Sequence, residues 1–137
     1  MTAAVADQLL DAEDVRYLVE IGFIALAAGA HAEAEIIFEG VKAARPAQEA
    51  GPLGIAMVAM ARGDFEAAAR KLRAMPPEPA ALTYLGIALA RCGERHLART
   101  LWKSVVSGAA GTPFFALAQA QLAETDTSTS RQWGSNP

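Results

Sequence analysis

Two histidines, one cysteine and a short run of glutamates are the side chains of this chain best suited to proton transfer, nucleophilic attack or metal binding near neutral pH. His31 and His96 each follow a turn glycine, Gly29 or Gly93. A structural zinc site needs about four His, Cys or carboxylate ligands at defined spacing, and these residues supply no such pattern. They read as turn histidines at the surface. Cys92 adjoins Gly93 at a helix end and reads as a small apolar packing residue. As the sole cysteine it forms no intrachain disulfide, which suits a reducing compartment. The serines sit in no GxSxG elbow, and neither GxGxxG nor GxxxxGK[ST] occurs. Glu35 and Glu39 share a helix face. Paired carboxylates can do acid–base work, but surface glutamates are ordinarily solvated. The expectation is no catalytic residue, no metal ligand and no cofactor.

The elements that position these residues follow from composition. The chain is 53% hydrophobic and 20% charged over 137 residues, a length that suits one domain. Alanine dominates the apolar fraction, whereas Val and Ile are few. Alanine is the best helix former and strands favour β-branched and aromatic residues, so the fold class is all-α. Twelve Lys and Arg against fifteen Asp and Glu lack the basic excess of a phosphate-binding domain, so nucleic acid is not an expected partner. The clusters Arg70–Lys71–Arg73 and Arg91–Arg95–Arg99 read as solvated helix faces. The opening MTAAVADQLLDAEDV has no basic stretch followed by an apolar run, so it does not read as a secretory signal. The longest apolar run, Ile21 to Ala30, is about half a membrane span. A cytoplasmic protein with no membrane insertion is expected.

Three segments repeat: EIGFIALAAGAHAEAEIIF, GIAMVAMARGDFEAAARKL and YLGIALARCGERHLARTLW. Their turn glycines, Gly29, Gly63 and Gly93, are spaced by 34 and then 30 residues. Each segment reads as helix, glycine turn, helix, since glycine ends a helix at positive φ without steric cost. Asp64 is the expected N-cap of the helix after the second turn. Before each turn a large apolar residue precedes a small one: Ile21-Gly22, Ile55-Ala56, Leu85-Gly86. After it, Ala34, Ala68 and Ala98 precede Phe38, Leu72 and Trp102 by four residues. Small residues let two helices approach closely, and the large one fills the space left.

This pattern, with Pro46 closing the first unit and Pro76, Pro77 and Pro79 the second, resembles the tetratricopeptide repeat, a helical hairpin of about 34 residues. The resemblance implies three tandem hairpins forming a right-handed α-solenoid. The units span about 15–48, 49–78 and 79–112, within a domain of 13–124. The second unit is four residues short, so the helix from Phe65 to about Met75 loses roughly one turn. Pro52 falls in the first turn of its leading helix, where proline is tolerated. Thr112 and Pro113 read as N-cap and first residue of a capping helix over 113–124. Residues 125–137 lack periodicity and read as a disordered tail; residues 1–12 read as an N-terminal arm or short helix.

In the repeat family the first helix of each hairpin lines a concave face. The family's groove offsets fall on Arg16, Val19, Phe23 and Leu26 in the first unit. They fall on Leu53, Met57 and Met60 in the second and on Thr83, Ile87 and Arg91 in the third. The stripe is apolar through its middle with arginine at both ends. The opposite faces are apolar too: Tyr17, Leu18, Ile21 and Ile24, or Tyr84, Leu85 and Leu89. A helix apolar all round buries more than one face, against a partner, another copy or a folded-back arm. Methionine suits a groove that repacks around different side chains.

The hairpins VEIGFIALAAGAHAEAEIIFEGVKAARP and TYLGIALARCGERHLARTLWKSVV resemble the small tetratricopeptide chaperones of bacterial type III secretion. The resemblance implies a non-catalytic cytoplasmic protein whose groove sequesters a hydrophobic helix or extended segment of a secretion substrate, needle or translocator subunit, alone or paired as a homodimer or with a small co-chaperone. The carboxylate clamp of other tetratricopeptide domains needs groove lysines. Lys42, Lys71 and Lys103 lie at no groove offset. The competing reading is a structural adaptor or self-associating scaffold whose apolar stripe is buried in a permanent dimer.

Overall fold

The computed structural model describes residues 10–134, with side chains described as far as residue 128. Among the described residues there are seven helices and no strand. They are α1 (Ala12–Ala27), α2 (His31–Ala44), α3 (Ala50–Ala61), α4 (Phe65–Arg73), α5 (Pro79–Arg91), α6 (Arg95–Gly108) and α7 (Pro113–Gly134). The chain divides between Met75 and Pro76 into two compact units, α1–α4 and α5–α7.

One local device makes all three hairpin turns. Gly29, Gly63 and Gly93 have φ of 79°, 80° and 88°, a left-handed conformation that glycine adopts without a Cβ clash. Each glycine N–H donates to the carbonyl of Leu26, Met60 or Ala90. The N–H of the following residue donates to Ala25, Ala59 or Leu89. These paired bonds are the Schellman motif, which satisfies carbonyls that a helix end otherwise leaves open.

In the first unit, α1 starts with a capping box. Asp14 N donates to Asp11 Oδ1 at 2.8 Å, and Asp11 N donates to Asp14 Oδ2 at 3.2 Å. Leu10, the residue before the cap, packs against a core of Val15, Val41 and Ala44 as a hydrophobic staple. Thus residues 11 and 12 cap and begin α1. The rest of the expected arm, residues 1–9, lies outside the described residues. A second core joins Ala34, Phe38, Ile55 and Val58. Phe38 is fully buried in a slot between two glycines. A Cβ on Gly22 of α1 would stand 2.8 Å from its ring, and one on Gly54 of α3 would stand closer still. At Gly51 a Cβ would meet the Lys42 backbone at 2.6 Å, so α2 and α3 nearly touch. Asp64 caps α4 as the sequence predicts, accepting from Ala67 N at 3.1 Å. At nine residues against fourteen for α2, α4 has lost more than a turn.

In the second unit, Pro79 occupies the first position of α5, where a missing N–H costs nothing. Trp102 repeats the Phe38 arrangement. It is buried against Gly86, where a Cβ would stand 2.7 Å from the indole Cε2. Its Nε1 donates to the Thr83 carbonyl at 3.1 Å. α7 packs on α5 and α6, with Phe114 edge-on to Tyr84 at 6.3 Å between centroids.

Three expectations change here. α7 runs to Gly134, so residues 125–134, expected as tail, continue the capping helix. Arg99 of α6 explains the continuation: its Nη1 donates to Thr125 Oγ1 at 2.8 Å and pairs with Asp126 at 2.6 Å. The hydroxyls of Thr125 and Thr127 also donate to carbonyls one turn back, which accommodates threonine in a helix. Thr112 stands where the cap was expected, but its hydroxyl donates to the Ala109 carbonyl at 2.7 Å. Cys92 is exposed, not packed: it is the C-cap of α5, where the chain turns away from the core.

Candidate partner-binding groove

In the first unit α1 and α3 pack directly on each other, so their groove offsets share one unit. Val19 rests on the Val15–Val41–Ala44 core. Phe23 and Leu26 rest on the Phe38 core, with the Phe23 ring edge-on to Phe38 at 5.0 Å between centroids. Leu53, Met57 and Met60 of α3 are likewise half-buried. All six side chains are thus partly open to solvent, and the three of α1 rest on the core. Arg16 is exposed, and its guanidinium lies 5.9 Å from the centroid of the Tyr17 ring.

The second unit departs from the expected set. Thr83 is fully buried and presents nothing to a partner. Its hydroxyl donates to the Pro79 carbonyl at 2.7 Å, and its own carbonyl receives the Trp102 indole. Trp102, larger than the Phe38 of the first unit, thus reaches the α5 backbone beside Thr83. Ile87 is half-buried and Arg91 exposed. The apolar second face also divides. Leu85 and Leu89 of α5 are buried, whereas Tyr17, Ile21 and Ile24 of α1 stay about half exposed or more.

The side chains with chemical potential do not converge. His96 and Cys92 are exposed, and His31 opens α2 half-buried. Among the described residues no group of three or more His, Cys, Asp or Glu is placed to hold a metal ion. Glu35, expected as solvated surface, instead pairs with Arg62, the C-cap of α3, and so ties α2 to the second turn. No described helix is long and apolar enough to cross a membrane.

No protein-family model and no curated protein sequence matches the chain. Solved structures do. The type III secretion translocator chaperone SycD of Yersinia enterocolitica superposes with a TM-score of 0.76 at 17% identity, over 90% of this chain and 98% of SycD. PcrH of Pseudomonas aeruginosa gives 0.71 at 21%, over 84% of this chain and 93% of PcrH. PcrH in complex with the chaperone binding region of PopB gives 0.70 at 22%, over 84% and 97%. At these identities the likeness establishes the all-α, tetratricopeptide-like fold.

Proposed function

We propose that this protein is a non-catalytic, cytoplasmic type III secretion chaperone whose α1–α3 groove sequesters a hydrophobic segment of a secretion-apparatus component or exported substrate. The observation that carries the reading is that the apolar groove offsets Val19, Phe23, Leu26, Leu53, Met57 and Met60 are all half-buried, the first three of them against the core. Its support is the shared fold with SycD and PcrH, the latter solved with the chaperone binding region of PopB. Covering the open half of each side chain contributes about 1 kcal/mol. Six of them give roughly 6 kcal/mol against the cost of association. Useful affinity then needs most of the row engaged at once, by an elongated segment.

The test is co-expression with the translocator and needle subunits encoded by the same organism, read as the soluble, co-purifying fraction. Phe23→Glu and Met57→Glu each place a carboxylate on the apolar row, and either is expected to abolish capture while the helical circular dichroism is retained. Capture that survives both changes removes the groove from the mechanism. A homodimer that merely splits in those variants, with no substrate captured by the wild type, supports the self-associating scaffold instead.

A further inference from the structure

α1 carries a third face, apart from its core side and its groove side. Tyr17, Ile21 and Ile24 recur at i, i+4 and i+7, and they are 51%, 49% and 69% exposed. Counted from the small hairpin residue, Gly22 in α1 and Ala56 in α3, the same offsets in α3 are Gly51, Ile55 and Val58. There all three are buried. Gly51 lies against the Lys42 backbone, while Ile55 and Val58 share a core with Ala34 and Phe38. In α3, then, these offsets form a stacking face, and the helix that covers it is α2, the second helix of the preceding hairpin. Among the described residues no helix precedes α1. The described part of the repeat therefore opens on an apolar face of the kind that α2 covers on α3.

Charge selects the occupant. Between Ala12 and Ala44 there are six carboxylates and two cations, a net of −4. Between Ala50 and Arg73 there are two and four, a net of +2, and between Pro79 and Gly108 one and four, a net of +3. The mild overall charge of −3 therefore conceals an acidic first hairpin. Glu13 and Glu20 are exposed and flank Tyr17 at i−4 and i+3. Arg16, over the Tyr17 ring, offsets one of them. The segment 1–9 brings Asp7 as its sole charged side chain, and a second copy docked face to face brings its own Glu13 and Glu20. Both set acid against acid, at a cost in affinity.

We infer that this face takes a helix of a different protein, apolar at i, i+4 and i+7 and edged with Lys or Arg. The inference stands apart from the groove reading, because Tyr17, Ile21 and Ile24 are not groove offsets.

The test uses the full chain and two fluorescent synthetic peptides of about 18 residues, long enough to form a helix. Both carry a leucine stripe at this spacing, one edged with lysine and the other with glutamate. The lysine peptide is expected to bind in the micromolar range and to weaken as salt rises. The glutamate peptide is expected to bind about tenfold more weakly or worse. Ile21→Glu, and the milder Ile21→Ala with Ile24→Ala, should weaken the lysine peptide by a similar factor, whereas Phe23→Glu and Met57→Glu leave it unchanged. Equal binding of the two peptides overturns the inference. So does loss of binding in the groove variants alone. Light scattering that shows a dimer split by Ile21→Glu assigns the face to a second copy. Binding that appears only after deletion of residues 1–9 assigns it to the chain's own leading segment.

Discussion

Replacing Gly54 by alanine sets two opposing effects against each other in one methyl group. Alanine in a helix interior is favoured over glycine by about 1 kcal/mol through backbone entropy alone. At Gly54 the new Cβ would lie well inside van der Waals contact with the Phe38 ring. The ring has little room to retreat, since Phe38 is fully buried and the end of its ring already lies against Gly22 of α1. Overpacking of a closed core costs roughly 1–3 kcal/mol, and a ring confined on both sides belongs at or above the top of that range. The expected net change is a destabilisation of about 2 kcal/mol. Gly40→Ala is the matched control: it sits inside α2, exposed, with no atom near its Cβ. It should stabilise by about 0.5–1 kcal/mol. Urea unfolding followed by circular dichroism gives both values. Hydrogen exchange at Phe38 and Val41 against Trp102 assigns the loss to the first unit. Phe38→Leu should relieve the clash, so the double-mutant cycle with Gly54→Ala should show a coupling of at least about 1 kcal/mol. Equal or greater stability of Gly54→Ala would refute the slot.

Two further outcomes follow from the second unit. Trp102→Phe removes the indole N–H from the Thr83 carbonyl, which keeps only its α-helical bond, and shrinks a fully buried side chain, so it should cost about 1–3 kcal/mol in urea unfolding; an unchanged midpoint would show the bond to be dispensable. Arg99→Ala releases Thr125 and Asp126, so exchange protection beyond residue 124 should be lost while global stability falls by less than about 1 kcal/mol. Undiminished protection there would mean that Arg99 does not hold the end of α7.

Legibility in the sequence tracks how local each cause is. The three turns were readable because a Schellman motif needs one glycine at one place. The large-small pairing of Phe38 with Gly22 and of Trp102 with Gly86 was readable because the repeat displays it three times. Gly54 was not, since its reason is a ring supplied by another helix. The same limit applies to Thr83: a groove offset learned from the repeat says nothing about an indole of α6 that bonds its carbonyl. The end of α7 was invisible because TDTSTS has no apolar period, and the Arg99 that bonds Thr125 and Asp126 belongs to a different helix.

The placement of the large apolar residues in the first unit is related to those glycines. A hairpin with two large residues facing each other would use both first-helix and second-helix side chains to fill its interior. Here Gly22, Gly54 and Gly86 recede, and one aromatic residue from the second helix fills the space. Small residues at the hairpin interface bring the helices close, and while Val15, Ile55 and Val58 enter the core, other large residues of α1 and α3 stay at its margins. Phe23, Leu26, Met57 and Met60 are among those left half-buried, and Tyr17, Ile21 and Ile24 are among those left exposed. Filling the slot with a smaller side chain should therefore disturb the proposed groove as well as stability. Phe38→Leu removes the partner on which the Phe23 edge rests at 5.0 Å, so the Phe23 ring should gain motion, measurable as faster ring flipping by NMR. A ring that flips at the wild-type rate in that variant would show that the core does not preorganise the groove.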